Sequence, residues 1–569
     1  MRAGRTLRTG GRMPSVYASA ALCLAAAALG ALAVSCGPER QASEPRVPRD
    51  VDVPEYLKDT IGEVARFAGR EPVAVQGYGF VTGLDGTGTK VVPPGIRQMI
   101  LDMMRRNKVD HAEDILASPD TAVVTVGGWI RPGAGKGELF DLVVRTIPST
   151  ETTSLEGGFL LECDLTRVVM SQGVESRSEV LALGRGSIFV SPFAPEAKAK
   201  ATTDPRRGGI LAGGKMLKAR HFRLALLTPS VRIADQIVRL VNARFPGAAS
   251  GAEDPGRVDL KVPQDYWDDK IRFLDLVGAL YMREMPGARD QRVERLIEAL
   301  KSGADVDRVA LCLEAFGPAV APRLYALGDH PDEAVRFYAG RTLAALQNAR
   351  AVHLLEGVVL KEGSPLQEQA VAALGQMRSG IGLGVLGRAL NVEDARVRVA
   401  AWRAMDRLSP RTFLARAFAD RFSLSVVASR GEPFVYIART LKPQIAIFGD
   451  MKVRPPVLAE TRRVIATARE GDEKITLISR RRSQDFRVES ALDVRDIIDK
   501  LAAPLGPAEA EAETEIQGLD LGYSDVVGLL YEMSKKGALS GPIVLQPLEY
   551  AMWGARGVAR PIGSENAEP

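Results

Sequence analysis

The chain has 569 residues, which is too long for a single hydrophobic core, so we expect about two to four domains. It is 46% hydrophobic and 25% charged, an ordinary globular composition. Lysine and arginine number 75 and aspartate and glutamate 70, and a net charge of +5 spread over this length is no signature of nucleic-acid binding.

The first 36 residues have the layout of a secretory signal. An apolar run, 18–34, follows four early arginines, Arg2, Arg5, Arg8 and Arg12. These 36 residues contain no Arg-Arg pair, which favours the Sec route over the twin-arginine route. The run ends in "ALAVSC", a lipobox-like sequence in which Cys36 would be acylated, although Ala33 stands in place of the usual leucine. A plain cleaved signal and an uncleaved anchor helix are the alternatives, and each takes the body of the protein out of the cytoplasm.

Residues 56–285, which follow a Pro-rich charged linker at 37–55, form a predicted region of mixed α and β structure. The strand candidates are "PVAVQ", "TAVVTVGGWI", "LFDLVVRTI", "GFLLECDL" and "SIFVS". Two amphipathic helices are predicted in "PGIRQMILDMMRRNKV" and "SVRIADQIVRLVNARF". Their apolar stripes are Ile96, Ile100, Met103 and Met104 in the first helix, and Ile233, Ile237, Leu240 and Val241 in the second.

The stretch "VQGYGFVTGLDGTGTK", 75–90, could hold a phosphate or could turn tightly between strands. Its glycines are Gly77, Gly79, Gly83, Gly86 and Gly88. A P-loop requires lysine directly after the second glycine of its pair and a helix beginning there, but Thr89 occupies that place and Pro93 and Pro94 follow. "GAGKGE" at 133–138 lacks the closing Ser or Thr. We therefore interpret both glycine runs as backbone turns or close approaches, and we expect no cofactor.

Residues 286–430 carry a predicted helical repeat with a period of 31 residues. Apolar positions recur at offsets that share one helical face, and the repeat-core residues are Val335, Ala339, Leu343, Leu366, Ala370, Leu374, Val397, Ala401 and Met405. The downstream halves, "ARAVHLLEGVVL" and "GIGLGVLGRAL", supply a second apolar helix, and an imperfect unit at 306–327 would cap the stack. Helix pairs of this kind predict a HEAT-like α-solenoid, whose surface either binds a partner or merely enlarges the subunit.

The C-terminal region, 431–548, contains "RSQDFRVES", which is either a loop or an edge strand. A Pro/Ala/Glu spacer at 503–515 interrupts it, and the tail at 549–569 has the composition of a disordered end. The predicted fold class is therefore α+β, with β-rich domains interrupted by an α-solenoid insertion.

The sequence shows no cluster of residues that would bind a metal ion and no cysteine motif for redox chemistry. The four histidines are widely separated, and no CxxC motif occurs. Cys23 lies in the signal, and we interpret Cys163 and Cys312 as buried thiols. An enzyme acting on a glycan could use carboxylates such as Glu151, Glu156 and Glu162, but their loose spacing favours a solvated surface.

Several ordered blocks resemble the flagellar P-ring protein family. The glycine stretch at 75–90 resembles its N-terminal signature, and 130–165 resembles its next block, including Pro132-Gly133, Asp141 and the Ser154-Leu155-x-Gly157-Gly158 run. The same holds for 221–246 and 258–277. The match lapses over the helical repeat and returns at 434–459 and 523–546. Family members usually have a plain signal and no internal helical array, so the lipobox-like end and the insertion are departures.

This resemblance implies a structural, non-enzymatic subunit that forms the P-ring, a homo-oligomeric periplasmic ring acting as a bushing around the flagellar rod and supporting motility. It implies the distal rod and the outer-membrane L-ring proteins as partners, with peptidoglycan and a periplasmic assembly chaperone as further candidates and no nucleic acid. The departures keep a second hypothesis open, in which a lipid-anchored envelope adaptor uses the ring fold and binds a partner through the helical array.

Overall fold

The computed structural model describes residues 58–547, apart from 91, 93, 107, 149, 172–173, 194–203, 252–253, 284–286, 304, 420, 481–484 and 506–517. The predicted signal, Cys36, the linker, the tail and most of the spacer lie outside the described residues. The described residues form one compact unit. The described part contains no helix that is long and apolar enough to cross a membrane.

The described strands belong to four sheets. In chain order they are β1 (Ala65–Ala68), β2 (Val73–Thr82), β3 (Ala122–Ile130), β4 (Leu139–Thr146), β5 (Phe159–Ser171), β6 (Val174–Ser187), β7 (Arg207–Met216), β8 (Phe222–Leu226), β9 (Ala249–Gly251), β10 (Arg257–Leu260), β11 (Leu414–Phe418), β12 (Phe422–Val427), β13 (Phe434–Ile437), β14 (Gln444–Phe448), β15 (Val457–Glu460), β16 (Val464–Ala468), β17 (Lys474–Arg480), β18 (Asp485–Ala491) and β19 (Ile543–Leu545).

The described α-helices concentrate in the middle of the chain. In chain order they are α1 (Ile61–Val64), α2 (Pro94–Arg106), α3 (Ala112–Leu116), α4 (Val231–Arg244), α5 (Lys270–Ala279), α6 (Ala288–Ser302), α7 (Val306–Ala315), α8 (Ala321–Tyr325), α9 (Glu333–Ala345), α10 (Ala351–Val359), α11 (Gln367–Gly375), α12 (Leu383–Ala389), α13 (Ala395–Leu408), α14 (Val494–Ala502) and α15 (Tyr523–Lys535). The structure is thus mixed α+β, as the sequence predicted.

The first large element is a six-stranded sheet that closes on itself in the order β2-β3-β4-β7-β6-β5. All its pairings are antiparallel, for example Val75 opposite Gly128 and Val143 opposite Gly209. Its interior is filled by apolar side chains such as Phe80, Val124 and Leu142, each at most 1% exposed. Helix α2 contributes Ile100, Leu101, Met103 and Met104 to the same core, and Ile96, the remaining residue of its predicted stripe, is partly buried against that core.

The second sheet is antiparallel in the order β1-β8-β10-β9, and it packs with helices α1, α4 and α5. Ser230 caps α4, since its side chain accepts a hydrogen bond from the amide of Ile233. Asp269 caps α5 in the same way through the amide of Arg272. Such side-chain acceptors satisfy amides that lack a partner within the helix, and so they set where each helix begins.

Two further sheets follow the helices. A mixed five-stranded sheet has the order β11-β12-β14-β13-β19, and an antiparallel four-stranded sheet has the order β15-β16-β17-β18. "RSQDFRVES" contributes edge strand β18, which pairs with β17, so the edge-strand alternative is the correct one for its described part. "SIFVS" differs from its prediction: after Ser187 ends β6, it contributes only an isolated bridge between Phe189 and Gly209.

The helices α6–α13 share one core with the elements on both sides. That core runs from Ile61 and Phe273, through Leu343 and Trp402, to Phe448 on the five-stranded sheet. A second core joins the other face of that sheet to α14, α15 and the four-stranded sheet. The domain boundaries predicted at 285 and 430 stay a prediction, because the packing is continuous across them.

Helix α13 holds the helical segment to the five-stranded sheet. Trp402 is 1% exposed and meets Tyr436 and Phe448 edge-on, with ring centroids 5.8 and 5.9 Å apart. Arg398, also 1% exposed, lies over the Phe434 ring at 4.7 Å and donates to the carbonyl of Glu432. Aromatic contacts and a cation over a ring face each add to the free energy gained by burial alone.

Candidate functional site

The glycine-rich stretch has two structural parts. Gly77 and Gly79 lie inside strand β2 rather than in a turn. A Cβ atom at Gly77 would lie 2.2 Å from the carbonyl oxygen of Asp164, and one at Gly79 would lie 2.5 Å from Cδ1 of Leu160. These two glycines therefore let the closed sheet pack closely on its neighbouring strand and its own interior.

The remaining glycines shape the loop that follows β2. Gly83 and Gly86 have φ angles of +79° and +81°, a conformation that side-chain-bearing residues rarely adopt. Gly88 is required for close approach, because a Cβ atom there would lie 2.1 Å from the carbonyl oxygen of Thr121.

Four amides of this loop, those of Leu84, Thr87, Gly88 and Thr89, donate to carbonyls of the protein itself. Leu84, Gly88 and Thr89 donate to the carbonyls of Asp120, Pro119 and Thr121 at 2.9, 2.9 and 2.8 Å. A phosphate cradle needs such N–H groups to converge on the ligand, whereas these converge on the neighbouring segment. In the "GAGKGE" loop, likewise, Gly135 donates to Glu138 and Gly137 to the carbonyl of Met216, both at 2.8 Å.

Three loops converge where the glycine-rich loop ends. Thr87 donates through its hydroxyl to the carbonyl of Ser154 at 2.9 Å, and the amide of Thr153 donates back to Thr87. From the turn between β15 and β16, the Arg462 guanidinium donates to the carbonyls of Leu84 and Asp85, both at 3.2 Å. We call the loops 83–89 and 153–158 and the turn 461–463 the three-loop junction.

Arg463 fixes the other side of the three-loop junction. Its guanidinium pairs at 3.3 Å with Asp525, which is 3% exposed and also accepts from the amide of Gly522 at the start of α15. A Cβ atom at Gly157 would lie 2.8 Å from this guanidinium, and the φ of Gly157 is +76°. The Gly157-Gly158 run thus leaves room for an arginine that is distant in sequence.

The three glutamates considered for catalysis lie in different environments. Glu151 and Glu162 are exposed. Glu156 is half-buried beside the three-loop junction, where burial and the nearby Asp525 raise its pKa against the opposing effect of Arg462 and Arg463. Its burial and the neighbouring carboxylate of Asp525 account for the raised pKa structurally.

A buried carboxylate, Asp141, makes the second connection between the N-terminal and C-terminal regions. Its oxygens accept from the amide of Ala212 at 2.7 Å and from that of Leu441, 300 residues away, at 2.8 and 2.9 Å. Ala212 and Leu441 have φ angles of +53° and +56°, which cost roughly 1–2 kcal/mol each in residues other than glycine. The carboxylate is therefore the acceptor that holds two unfavourable backbone conformations.

The thiols behave as the sequence indicated. Cys163 and Cys312 are buried thiols and are not joined in a disulfide. Burial raises the pKa of Cys163 to about 12 and that of Cys312 to about 11, so both stay protonated at neutral pH. Within the described ranges no group of histidine, cysteine and carboxylate side chains is placed to hold a metal ion.

The predicted repeat-core residues lie on the first helix of each unit, α9, α11 and α13. Most are at most 2% exposed, Met405 is 9% exposed, and Leu366 is half-buried just before α11. The HEAT-like assignment stays a prediction. Sequence reasoning missed Arg462, Arg463 and Leu441, and the signal that could have indicated the first two is an arginine pair in a tight turn between two β-rich runs.

The comparisons with known proteins agree with this architecture. The model of the family "Flagellar P-ring protein" matches residues 60–293, which contain the closed sheet and the second sheet. A flagellar P-ring protein of Thermotoga petrophila is 31% identical over 240 residues, 40% of this chain and 68% of that protein. One from Caulobacter vibrioides is 27% identical over 268 residues, 45% of this chain and 69% of that protein, and one from Anaeromyxobacter dehalogenans is 28% identical over 239 residues, 40% and 62%.

The fold and the three-loop junction define a structural protein whose glycine motif shapes the backbone. The chain belongs to the flagellar P-ring protein family, since it covers more than two thirds of the Thermotoga relative at 31% identity.

Replacing Gly88 by alanine tests the close approach in the glycine-rich loop. We expect a loss of about 1–3 kcal/mol in the free energy of unfolding, because the new methyl group overlaps a backbone carbonyl that cannot rotate away. Urea denaturation measures it. Gly95→Ala is the matched control, because no atom lies within 4 Å of the added Cβ and alanine favours the helix. Equal stability of the two variants would contradict the interpretation.

Replacing Asp141 by asparagine tests the buried carboxylate. Oδ1 accepts from both backbone amides and Oδ2 accepts from that of Leu441 as well. In asparagine an NH2 group, which cannot accept, replaces Oδ2 and faces the Leu441 N–H, so we expect a loss of about 1–3 kcal/mol at pH 7. Burial raises the pKa of Asp141 above its ordinary value, although two backbone N–H bonds and Arg131 oppose this. A raised pKa means that the wild type loses stability as the pH rises through the window between the ordinary and the raised pKa.

The wild-type advantage over Asp141→Asn should therefore be larger at pH 4 than at pH 7, as measured by urea unfolding of both proteins across this range. An advantage that shrinks as the pH falls would show that the burial effect has the wrong sign.

Proposed function

We propose that this protein is a structural subunit of the P-ring of the flagellar basal body and thereby supports motility. The observation that carries this proposal is the family membership of 60–293, the region whose closed sheet holds the family-like glycine motif in a purely structural role. The family associates with other components of the basal body, and this places the protein in the bacterial envelope.

The ring role requires many copies to contact one another in the same way. A heterologous contact, repeated by rotation until it closes, builds such a ring and sets its copy number. We propose that the ring surrounds the rod in the periplasm as a bushing. Its partners in this proposal are the distal rod and L-ring proteins, with peptidoglycan and a periplasmic assembly chaperone as further candidates.

A second candidate function is a lipid-anchored envelope adaptor. The lipobox-like end at Cys36 favours it, because several acyl chains hold a protein firmly on a membrane. The inserted helices α6–α13, which present a large additional surface, favour it as well.

Negative-stain microscopy of basal bodies from a strain that carries a tagged copy separates the two functions. We expect tag density in the ring around the rod, because a ring subunit is incorporated at fixed positions. The control is an untagged strain. Label spread over the envelope and missing from purified basal bodies would favour the adaptor and contradict the ring.

The lipid anchor has its own test. We expect radiolabelled palmitate to be incorporated into the wild-type protein and lost in Cys36→Ser, because acylation requires the Cys36 thiol. Cys163→Ser is the matched control and should keep the label, because Cys163 is buried in the closed sheet. A wild-type protein without label indicates one of the other two signal types.

A further inference from the structure

A groove opens between the helices α6–α13 and the regions on both sides of them. It has a volume of about 840 Å³, inside the range of roughly 300–1,000 Å³ typical of binding clefts. Its floor is formed by α11 and α13 with the end of α9, one wall by residues 264–272, and the far end by Tyr436 and 544–547. We call it the array groove.

The charges that line the array groove are balanced. Five arginines and five carboxylates line it, namely Arg272, Arg378, Arg396, Arg403, Arg407, Asp265, Asp268, Asp269, Glu314 and Glu368. Three of these arginines already form ion pairs, Arg272 with Glu314, Arg378 with Asp265 and Arg396 with Asp394. A lining without net charge does not attract a strongly acidic or strongly basic occupant, so it favours an occupant with few charges.

The floor of the array groove is apolar and shallow because its residues are small. Ala372 and Gly375 on α11 face it together with Ala400 and Ala404 on α13. A Cβ atom at Gly375 would lie 2.7 Å from Cβ of Ala404, so the two helices approach closely and form a trough. A floor of this kind fits a large, flat aromatic side chain, which buries much apolar area in one contact.

Glu314 on the inner wall lacks a hydrogen-bond donor. It is 1% exposed and binds Arg272 through one oxygen, while its other oxygen has no hydrogen-bond partner among the described residues. A buried acceptor without a donor is costly. Burial raises the pKa of Glu314, and the guanidinium groups of Arg272, Arg244 and Arg341 oppose this. Because three cations already lie near Glu314, a neutral donor fits this place better than a fourth cation.

The described part of the chain ends in the array groove. Val544 and Pro547 line the far end of the groove, on either side of the end of β19. Gln546 fixes the path between them, since its amide donates to the carbonyl of Ile437 at 3.0 Å and its own carbonyl accepts from the Arg439 guanidinium at 2.9 Å. Pro547 is the last of the described residues, so the chain that follows starts at the groove.

The sequence that follows Pro547 places its large apolar side chains close to this exit. It begins "LEYAMWGA", 548–555, which contains Tyr550, Met552 and Trp553 and a single charge, that of Glu549. The remainder, 556–569, contains no aromatic residue. At up to about 3.3–3.6 Å per residue, Trp553 reaches as far as roughly 20 Å beyond Pro547. Segments that stay unbound carry few aromatic residues, so this cluster indicates a binding segment.

We propose that the array groove is covered by the chain's own segment 548–555, with Trp553 seated on the small-residue floor. The indole ring fits the trough between α11 and α13, and its N–H, which is neutral and can only donate, supplies the hydrogen bond that Glu314 lacks. The contact lies within one chain and does not depend on ring assembly.

The position of the segment favours this occupant over a separate molecule. A segment that begins at the edge of its own binding site is present there at a high effective concentration, so a modest intrinsic affinity is enough to hold it. The single charge of 548–555 also suits a lining whose charges balance. A partner that binds the array groove must therefore displace this segment first.

Hydrogen exchange measured by mass spectrometry on the full-length chain provides the test. We expect the amides of 548–555 to exchange at least about tenfold faster in Trp553→Ala than in wild type, because the ring that anchors the segment is lost. Trp553→Phe keeps a ring without the N–H donor, and its exchange rate should lie between the two. Ile562→Ala is the matched control, because it shortens an apolar side chain of the same tail outside 548–555, and it should exchange as wild type.

A variant of the floor makes the test specific to the array groove. Ala372 is exposed and lines the floor, so the longer side chain of Ala372→Gln occupies the trough without disturbing the core, and 548–555 should again exchange faster. Gly384→Gln on α12 is the matched control, since Gly384 is exposed, no atom lies within 4 Å of the added Cβ, and it does not line the groove.

Three results would overturn the proposal. Exchange of 548–555 that is equally fast in wild type and in Trp553→Ala shows that the segment is not held. Protection that responds to Trp553→Ala but not to Ala372→Gln shows that the segment binds elsewhere. Protection that increases with protein concentration shows that the segment of another copy occupies the groove.

Discussion

The carboxylate of Asp141 is the interaction on which the relation between the two ends of the chain depends. It lies within the closed sheet, where β4 and β7 shift register, and it accepts from Ala212 on β7 and from Leu441 beside the five-stranded sheet. A single acceptor thus satisfies two amides in left-handed conformations. Because the group is buried, its desolvation opposes ionisation, and the hydrogen bonds offset only part of that cost, so its pKa stays raised.

The three-loop junction also connects the N-terminal region to the C-terminal region through hydrogen bonds between residues that are distant in sequence. Arg462 donates hydrogen bonds to carbonyls of the glycine-rich loop, while Arg463 forms an ion pair with the buried Asp525 at the start of α15. Glycines are needed there because an arginine, a carbonyl and a turn occupy one small volume. The glycine-rich loop, whose sequence resembles a phosphate-binding loop, is therefore a packing surface for the turn 461–463 of the same chain.

Much of the fold could be predicted from the sequence because its signals are local. The apolar periodicity of α2 and α4 and the 31-residue period behind α9, α11 and α13 come from neighbouring residues on one face. The contacts that join distant regions could not be predicted. Leu441 and Ala212 adopt a positive φ, but leucine and alanine, unlike glycine or asparagine, rarely do so, and their residue types therefore gave no indication of it. The apolar residues of "SIFVS" predicted a strand. In the structure Phe189 instead packs against the ring of Tyr523 in the core that includes the four-stranded sheet. Composition likewise gave no hint that Arg398 would be buried over an aromatic ring.

The continuous core that passes through Trp402 has an evolutionary consequence. An inserted module with its own closed core can be gained or lost as a cassette, leaving its host unchanged. Here the helices and the five-stranded sheet bury each other's aromatic side chains, so neither surface is soluble alone. A change in the packing surface of the helices therefore requires a matching change in the sheet, and a chain that lacked these helices would need a polar face where Phe434, Tyr436 and Phe448 stand here.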